Sequence, residues 1–479
     1  MKVKTRFAPS PTGYMHVGNF RTALYSYLIA KKHKGSFVFR LEDTDKAREV
    51  KGSLESIYRS LKWAGLVHDE GPDIGGPNEP YKQSDRLVIY KSHINDLIDK
   101  GHAYHCFCSP GRLDSMRKEQ QARGEMVKYD RHCCNLESSE IEKKIEAGES
   151  YVIRQKINSS GTTKFTDLVR GEIEIENITL DDSILIKSDG FPAYNFANVV
   201  DDHLMEITHI IRGEEFIPST PKYIQLYNAF GWEVPAHAHL SLILNKNKSK
   251  LSKRDGSVTL EDYVKQGYLP ETIINFVALL GWNPGDDREI FSLEELVNEF
   301  DFDKVNKSGA VFDTEKLDWM NGHYIRAKKI DELTELCLPY FDSAITDKFD
   351  KEFIESVVGL EQERLKKLSD IGDKTKYFFE TPKVDQKMIV WKKSDEATTK
   401  ERIKFLIDYL SEVPNENWTR NSLEKSLIEK IKQEGLNNGE VLWPMRVALS
   451  GQEKSPSPFE IAEVLGKEET LNRLKSSIN

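Results

Sequence analysis

Val3-Lys4-Thr5-Arg6-Phe7-Ala8-Pro9-Ser10-Pro11-Thr12-Gly13-Tyr14-Met15-His16-Val17-Gly18-Asn19 is the stretch on which the fold of this chain turns. Val3 to Phe7 reads as a strand. The turn Ala8 to Gly13 ends it, because two prolines withhold backbone donors and glycine tolerates a sharp bend. A helix follows, with Phe20, Leu24, Tyr27 and Leu28 recurring on one face. Lys31, Lys32, His33 and Lys34 suit the negative end of its dipole, and Gly35 stops it. Phe37 to Leu41 reads as a second strand, ending at Glu42-Asp43-Thr44-Asp45. Strand, turn, helix and strand form one βαβ unit, the seed of a doubly wound sheet.

Outward from this unit, Gly71-Pro72-Asp73-Ile74-Gly75-Gly76-Pro77 marks a boundary. A cysteine-bearing insert comes next, with a helical run near Ser138 to Gly148. Tyr151 to Lys156, Ile173 to Ile175 and Ile184 to Ile186 are strand-like. From Phe191 a buried α/β pattern returns, with Ile207 to Ile211 as a parallel strand. From about residue 330 the pattern is helical, punctuated by Pro382, Pro414 and Pro444.

The chain has 479 residues, too many for one core. With 38% hydrophobic and 30% charged residues it falls among globular proteins, and no apolar run is long enough to span a bilayer. The amino terminus carries no apolar or Arg/Ser-rich leader, so a cytoplasmic location is expected. The net charge of −10 does not exclude nucleic acid, since binding depends on where basic groups sit. Five cysteines are too few for a disulfide scaffold, but Cys106, Cys108, Cys133 and Cys134 crowd together in a way that suits a metal.

Two stretches point to phosphate chemistry. His16-Val17-Gly18-Asn19 opens the first helix, where unpaired N–H groups and the dipole favour an anion. Far along the chain, five basic residues crowd into the nine positions from Lys246 to Arg254. Ammonium groups on a Gly/Ser/Asn stretch suit the growing charge of a leaving pyrophosphate. Taken singly, the first is most often a capped helix start and the second a solvated charge run.

In this order, the two resemble the signatures of class I aminoacyl-tRNA synthetases: His16-Val17-Gly18-Asn19 the "HIGH" motif, Lys250-Leu251-Ser252-Lys253-Arg254 the "KMSKS" loop. Arg6 to Gly13, Arg40 to Asp45, Tyr194 to Asp202 and Ile211 to Glu215 sharpen the likeness to bacterial glutamyl-tRNA synthetases. Asn19, Arg254 and Phe216 depart from the commonest motif residues: the first two are usual variants in this family, and Phe216 keeps a planar wall.

The resemblance implies an α/β fold: a Rossmann-like catalytic domain (1–81 and 195–245) interrupted by an α+β insert (82–194) for the tRNA acceptor end. A stem-contact region with the lysine loop (246–329) and two all-α anticodon-binding parts (330–386 and 387–479) follow. It implies an enzyme that joins L-glutamate to tRNA-Glu with ATP and Mg²⁺, working as a monomer. Glutamate falls to Arg6, Ser10, Glu42, Tyr194, Asn198 and Arg212, which supply the cations and anion a charged amino acid needs. ATP falls to Ala8, His16, Gly18, Glu215, Leu242, Ile243, Lys250 and Lys253, with His16, Lys250 and Lys253 catalytic. Arg364 and Arg446 match anticodon contacts. Cys106, Cys108 and Cys133 match a structural zinc site of one ion per chain, with Tyr129, His132 or Cys134 as fourth ligand; Tyr129 fits the spacing of close relatives.

Overall fold

The computed structural model describes residues 2–251 and 259–478. They form two compact units, one of residues 1–263 and 270–314, the other of 264–269 and 315–479. The stretch 246–329, read from the sequence as one region, is divided between them.

The first unit is built on a six-stranded sheet, ordered β2-β1-β8-β9-β5-β6. These strands are β1 (Lys4–Phe7), β2 (Ser36–Phe39), β5 (Thr162–Asp167), β6 (Gly171–Glu176), β8 (His209–Gly213) and β9 (Ala236–Leu240). All neighbours pair in parallel except β5 with β6. The expected βαβ unit is present: β1, the helix Val17–Lys32, and β2 in register from Lys4 opposite Ser36 to Phe7 opposite Phe39. β2 stops two residues earlier than expected, and Leu41 instead bridges to Lys82. Gly35 allows the return, because a Cβ there would collide with the Val3 carbonyl oxygen.

β5 and β6 lie within the stretch read as insert, yet they complete the catalytic sheet. β5 buries alternate residues, Thr163, Phe165 and Asp167, against the neighbouring layer. What the insert keeps is a separate antiparallel sheet, β3 (Ala103–Cys106), β4 (Val152–Gln155) and β7 (Ile184–Ile186). A short parallel pair, β10 (Ile243–Leu244) and β11 (Ala310–Val311), lies beyond β9.

The second unit is helical, from Glu315 in the helix Thr314–Ala327 to the helix Pro458–Ser476. Its core is aliphatic and aromatic, with Leu333, Val357, Ile371, Leu406, Leu427 and Val447 fully buried. No helix among the described residues is long and apolar enough to cross a membrane.

Candidate active site

The parallel strands end together at one cleft of about 650 Å³. Open α/β sheets place ligands in this position, where strand order reverses and helix N-termini face the crevice. β1 contributes Arg6 and the turn after it Ala8 and Ser10; Glu42 comes from beyond β2, Arg212 from β8, and Leu242 and Ile243 from beyond β9. His16, Gly18, Tyr194, Glu215 and Lys250 complete the expected lining. Asn198 does not face the cleft. It is buried behind it, with its Nδ2 lacking a hydrogen-bond partner among the described residues.

His16 caps the helix Val17–Lys32, its Nδ1 accepting from the Asn19 amide at 3.2 Å. Gly18 makes room for the ring, since a Cβ there would approach its Cε1 to 3.0 Å. The capping role is therefore real, and it orients the imidazole at the dipole-positive end. Lys250 is exposed and pairs through its backbone with Leu244, while Leu251 donates to the Ile243 carbonyl at 2.9 Å. Thr259 bridges to His16 and Leu260 donates to the Met15 carbonyl. Lys253 and Arg254 lie outside the described residues.

Beneath the cleft, charges are buried in pairs. Arg6 Nε donates to Asp202 at 3.0 Å and its Nη1 to the Ile211 carbonyl at 3.4 Å, leaving Nη2 without a partner among the described residues. Arg40, fully buried, bridges Asp202 at 2.6 Å and Glu42 at 3.0 Å. Asp201 takes Arg86 at 2.7 Å, Gln83 at 2.8 Å and the Tyr90 hydroxyl at 2.8 Å. Three guanidiniums thus balance three carboxylates, as burial requires. Burial raises the Glu42 carboxyl, with Arg40 and Arg6 opposing it. Burial also pushes Asp202 upward, but Arg40 and Arg6 outweigh it and hold that carboxyl below its ordinary range.

Among the described residues, no carboxylate pairs with Arg212. Its Nε donates to His239 Nε2 at 3.1 Å and its Nη2 to the Thr220 hydroxyl at 2.9 Å. The guanidinium lies between two rings, 4.6 Å from the centre of Tyr223 and 5.2 Å from that of Phe216. Phe216 in turn sits 5.5 Å from Tyr194. The planar wall expected from Phe216 is present. His239, Thr220, Tyr223 and Asp167 were not singled out in the sequence; each is one residue in an ordinary-looking segment.

In the insert, the Cys106, Cys108 and Cys133 sulfurs all lie within 4.8 Å of one another, with Cys108 and Cys133 3.6 Å apart. The Tyr129 hydroxyl reaches Cys106 at 3.2 Å and Cys108 at 3.3 Å. A tetrahedral ion with sulfurs at roughly 2.3 Å would hold them roughly 3.8 Å apart, so this donor set fits zinc. His132 is exposed, and Cys134 lies outside the trio.

In the second unit, Arg364 pairs with buried Glu361 at 3.0 Å. Arg446 donates to the Ser455 carbonyl at 2.6 Å and the Pro456 carbonyl at 2.7 Å. The two arginines are near enough to repel: burial lowers the Arg446 pKa first, and Arg364 adds to it.

A mostly parallel open sheet with a capping histidine at its first turn and a lysine segment returning to the same cleft is the arrangement of a class I aminoacyl-tRNA synthetase. Residues 2–319 match the family of class I tRNA synthetase (E and Q) catalytic domains, and residues 332–478 an anticodon-binding domain. The chain is 50% identical to glutamate–tRNA ligases of Clostridium botulinum (strain Okra) and Clostridium tetani, covering 100% of its own length and 98% and 97% of theirs. It is similar to the crystal structure of a glutamate–tRNA ligase from Elizabethkingia meningosepticum in complex with its amino acid, at 38% identity and a TM-score of 0.92, covering 100% of this chain and 99% of that one. The chain belongs to the glutamate–tRNA ligase family.

Proposed function

We propose that the chain activates L-glutamate with ATP and transfers it to the terminal adenosine of tRNA-Glu, with the cleft residues in the roles their chemistry suggests. What carries the reading is the convergence on one cleft of two arginines with unused donors, Arg6 and Arg212, and the phosphate-facing set of His16, Gly18 and Lys250. Arg6 and Arg212 take the carboxylates of glutamate, Glu42 its ammonium, and Ser10 and Tyr194 add hydrogen bonds. Ala8, His16, Gly18, Glu215, Leu242, Ile243, Lys250 and Lys253 take ATP.

The α-carboxylate of glutamate attacks the α-phosphorus, the bond from that phosphorus to the α,β-bridging oxygen breaks, and pyrophosphate leaves; Mg²⁺ bound with ATP would offset its charge. His16, Lys250 and Lys253 stabilise the departing charge. The 2′-hydroxyl of the terminal adenosine then attacks the mixed anhydride, forming the ester and releasing AMP. Positioning and electrostatics suffice, without a protein nucleophile.

Residues 82–194 bind the acceptor end, 246–329 the stem, and 330–386 with 387–479 the anticodon, through Arg364 and Arg446. The protein acts in the cytoplasm as a monomer. Zinc would be held by Cys106, Cys108, Cys133 and Tyr129, and would brace the insert. Glutamate-dependent exchange of pyrophosphate into ATP, followed by charging of purified tRNA-Glu, tests the reading; exchange driven equally by other amino acids would overturn it. Elemental analysis giving about one zinc per chain, lost in Cys106→Ser, tests the metal.

A further inference from the structure

Unlike Arg6 and Arg40, which are paired with carboxylates, Arg212 rests on neutral side chains, whereas Arg21 on the same cleft rests on the Leu280 and Ser241 carbonyls. Behind Arg212 stands a chain of three side chains from three strands. Asp167, at the end of β5, accepts from His239 Nδ1 at 2.6 Å. The other imidazole nitrogen accepts from Arg212 Nε at 3.1 Å. Asp167 is itself fully satisfied, taking the His239 amide at 3.1 Å and the Val169 and Arg170 amides at 3.0 and 2.9 Å. All three side chains are buried.

This arrangement admits one protonation state. With the Nδ1 proton committed to Asp167, Nε2 must be a lone pair to receive the Arg212 Nε–H. A second proton would set two donors and two cations face to face. Burial lowers the proton affinity of His239; the Asp167 bond opposes this, and Arg212 adds to it. His237, on the same face of β9, lies 5.9 Å away and nearly parallel, also held neutral by burial first and by Arg212 next.

The planar guanidinium has two usable edges. Nε and Nη2 form one, filled by His239 and the Thr220 hydroxyl, which stand 3.2 Å apart. The edge through Nη1 is left, and the Phe216 and Tyr223 rings stop the plane from tilting. A carboxylate in place of His239 would fix the same orientation but would neutralise the cation. A neutral imidazole fixes the edge and leaves the charge for the ligand.

Resting on the assignment of Arg212 to a glutamate carboxylate, we infer that His239, held as its Nδ1–H tautomer by Asp167, is a positioning residue that aims Arg212 and preserves its preference for an anion over an amide. The two nitrogens of His239 can be separated by substitution. Asparagine places a donor near Nδ1 for Asp167 and offers nothing to Arg212. Glutamine places an oxygen near Nε2 that can accept from Arg212.

The test is pyrophosphate exchange by full-length enzyme with His239→Asn, His239→Gln and Arg212→Ala, measuring the Michaelis constants for glutamate and ATP separately. His239→Asn should raise the glutamate constant roughly ten- to hundredfold, the scale of a lost hydrogen bond to a charged group, and leave the ATP constant unchanged. His239→Gln should restore most of that loss. If Asn and Gln are equally impaired, or if both constants rise together, His239 only fills space and the inference falls. If Arg212→Ala leaves the glutamate constant unaltered, the underlying assignment of Arg212 falls instead.

Discussion

The two units solve opposite problems in their interiors. Beneath the cleft of the first, Arg6, Arg40, Arg86, Glu42, Asp201, Asp202, Asp167 and His239 are buried together, each tied to a partner. The second packs leucine, valine, isoleucine and aromatic rings. Its buried Arg473 donates chiefly to the carbonyls of Tyr377 and Leu449 and to Glu469. A cleft for a charged amino acid needs fixed charges at its base, and holding them out of water opposes folding. A helical unit whose candidate contacts are peripheral arginines carries no such demand.

That contrast breaks first at Asp202. Asp202→Ala removes the shared acceptor of Arg6 and Arg40 and leaves two buried cations short of a partner. The loss should be about 3–5 kcal/mol of stability, together with glutamate-dependent exchange. Urea unfolding curves measure it; an unchanged midpoint would mean that the ionic network is not what holds this core.

Leu427→Ala probes the other interior. Leu427 is fully buried, and its truncation should cost about 2–5 kcal/mol, depending on how far the helices close over the cavity. The expected signature is a lowered transition for the helical unit with pyrophosphate exchange intact. Charging of tRNA should fall while amino-acid activation does not.

At the periphery of the second unit, Arg364→Gln sharpens the comparison, because the effect there is on choice of tRNA. The anticodons of tRNA-Glu and tRNA-Gln differ at the third base, C against G. One well-placed base contact is worth about 1–3 kcal/mol, or about 10–150-fold in discrimination. The ratio of kcat/KM for the two tRNAs should therefore relax. Arg364 already pairs with Glu361, so Glu361→Gln should relax it less. An unchanged ratio in the Arg364 variant would move the discriminator elsewhere.

Acid separates the units most gently. His237 and His239 have folded pKa values below their ordinary one, chiefly through burial. The unfolded chain binds protons there that the folded chain refuses, so this contribution is intact above about pH 6.5 and lost as pH falls below it. The second unit holds one histidine, exposed His323. Between about pH 6.5 and 5 the first unit's melting temperature should fall more than the second's; equal shifts would mean that carboxylates govern both.

Which parts of this were legible in the residues follows from how local the signals are. The β1 unit could be read because prolines, a capping histidine and Gly35 punctuate it within 35 residues. Glu42 and Arg212 fell at strand ends and were found by motif order. β5 escaped: Thr162-Thr163-Lys164-Phe165-Thr166-Asp167 has one strongly apolar residue, and only its pairing with β6 and β9 makes it a strand. With it went Asp167. The His-x-Gly pattern reads either as a phosphate-facing turn or as a capped helix start, and the hydrogen bond to Asn19 shows that His16 caps its helix at the edge of the cleft.

What the sequence determined alone was where elements start and stop, the two phosphate-handling motifs, the spacing of the cysteines and the family. These depend on neighbours within a few turns of chain. The tertiary structure decided which charges meet. Asp167, Arg212 and His239 stand on different strands, and Arg6 reaches Asp202 across 196 positions. A buried charge is tolerable only beside its partner, and that partner exists only once the sheet has assembled.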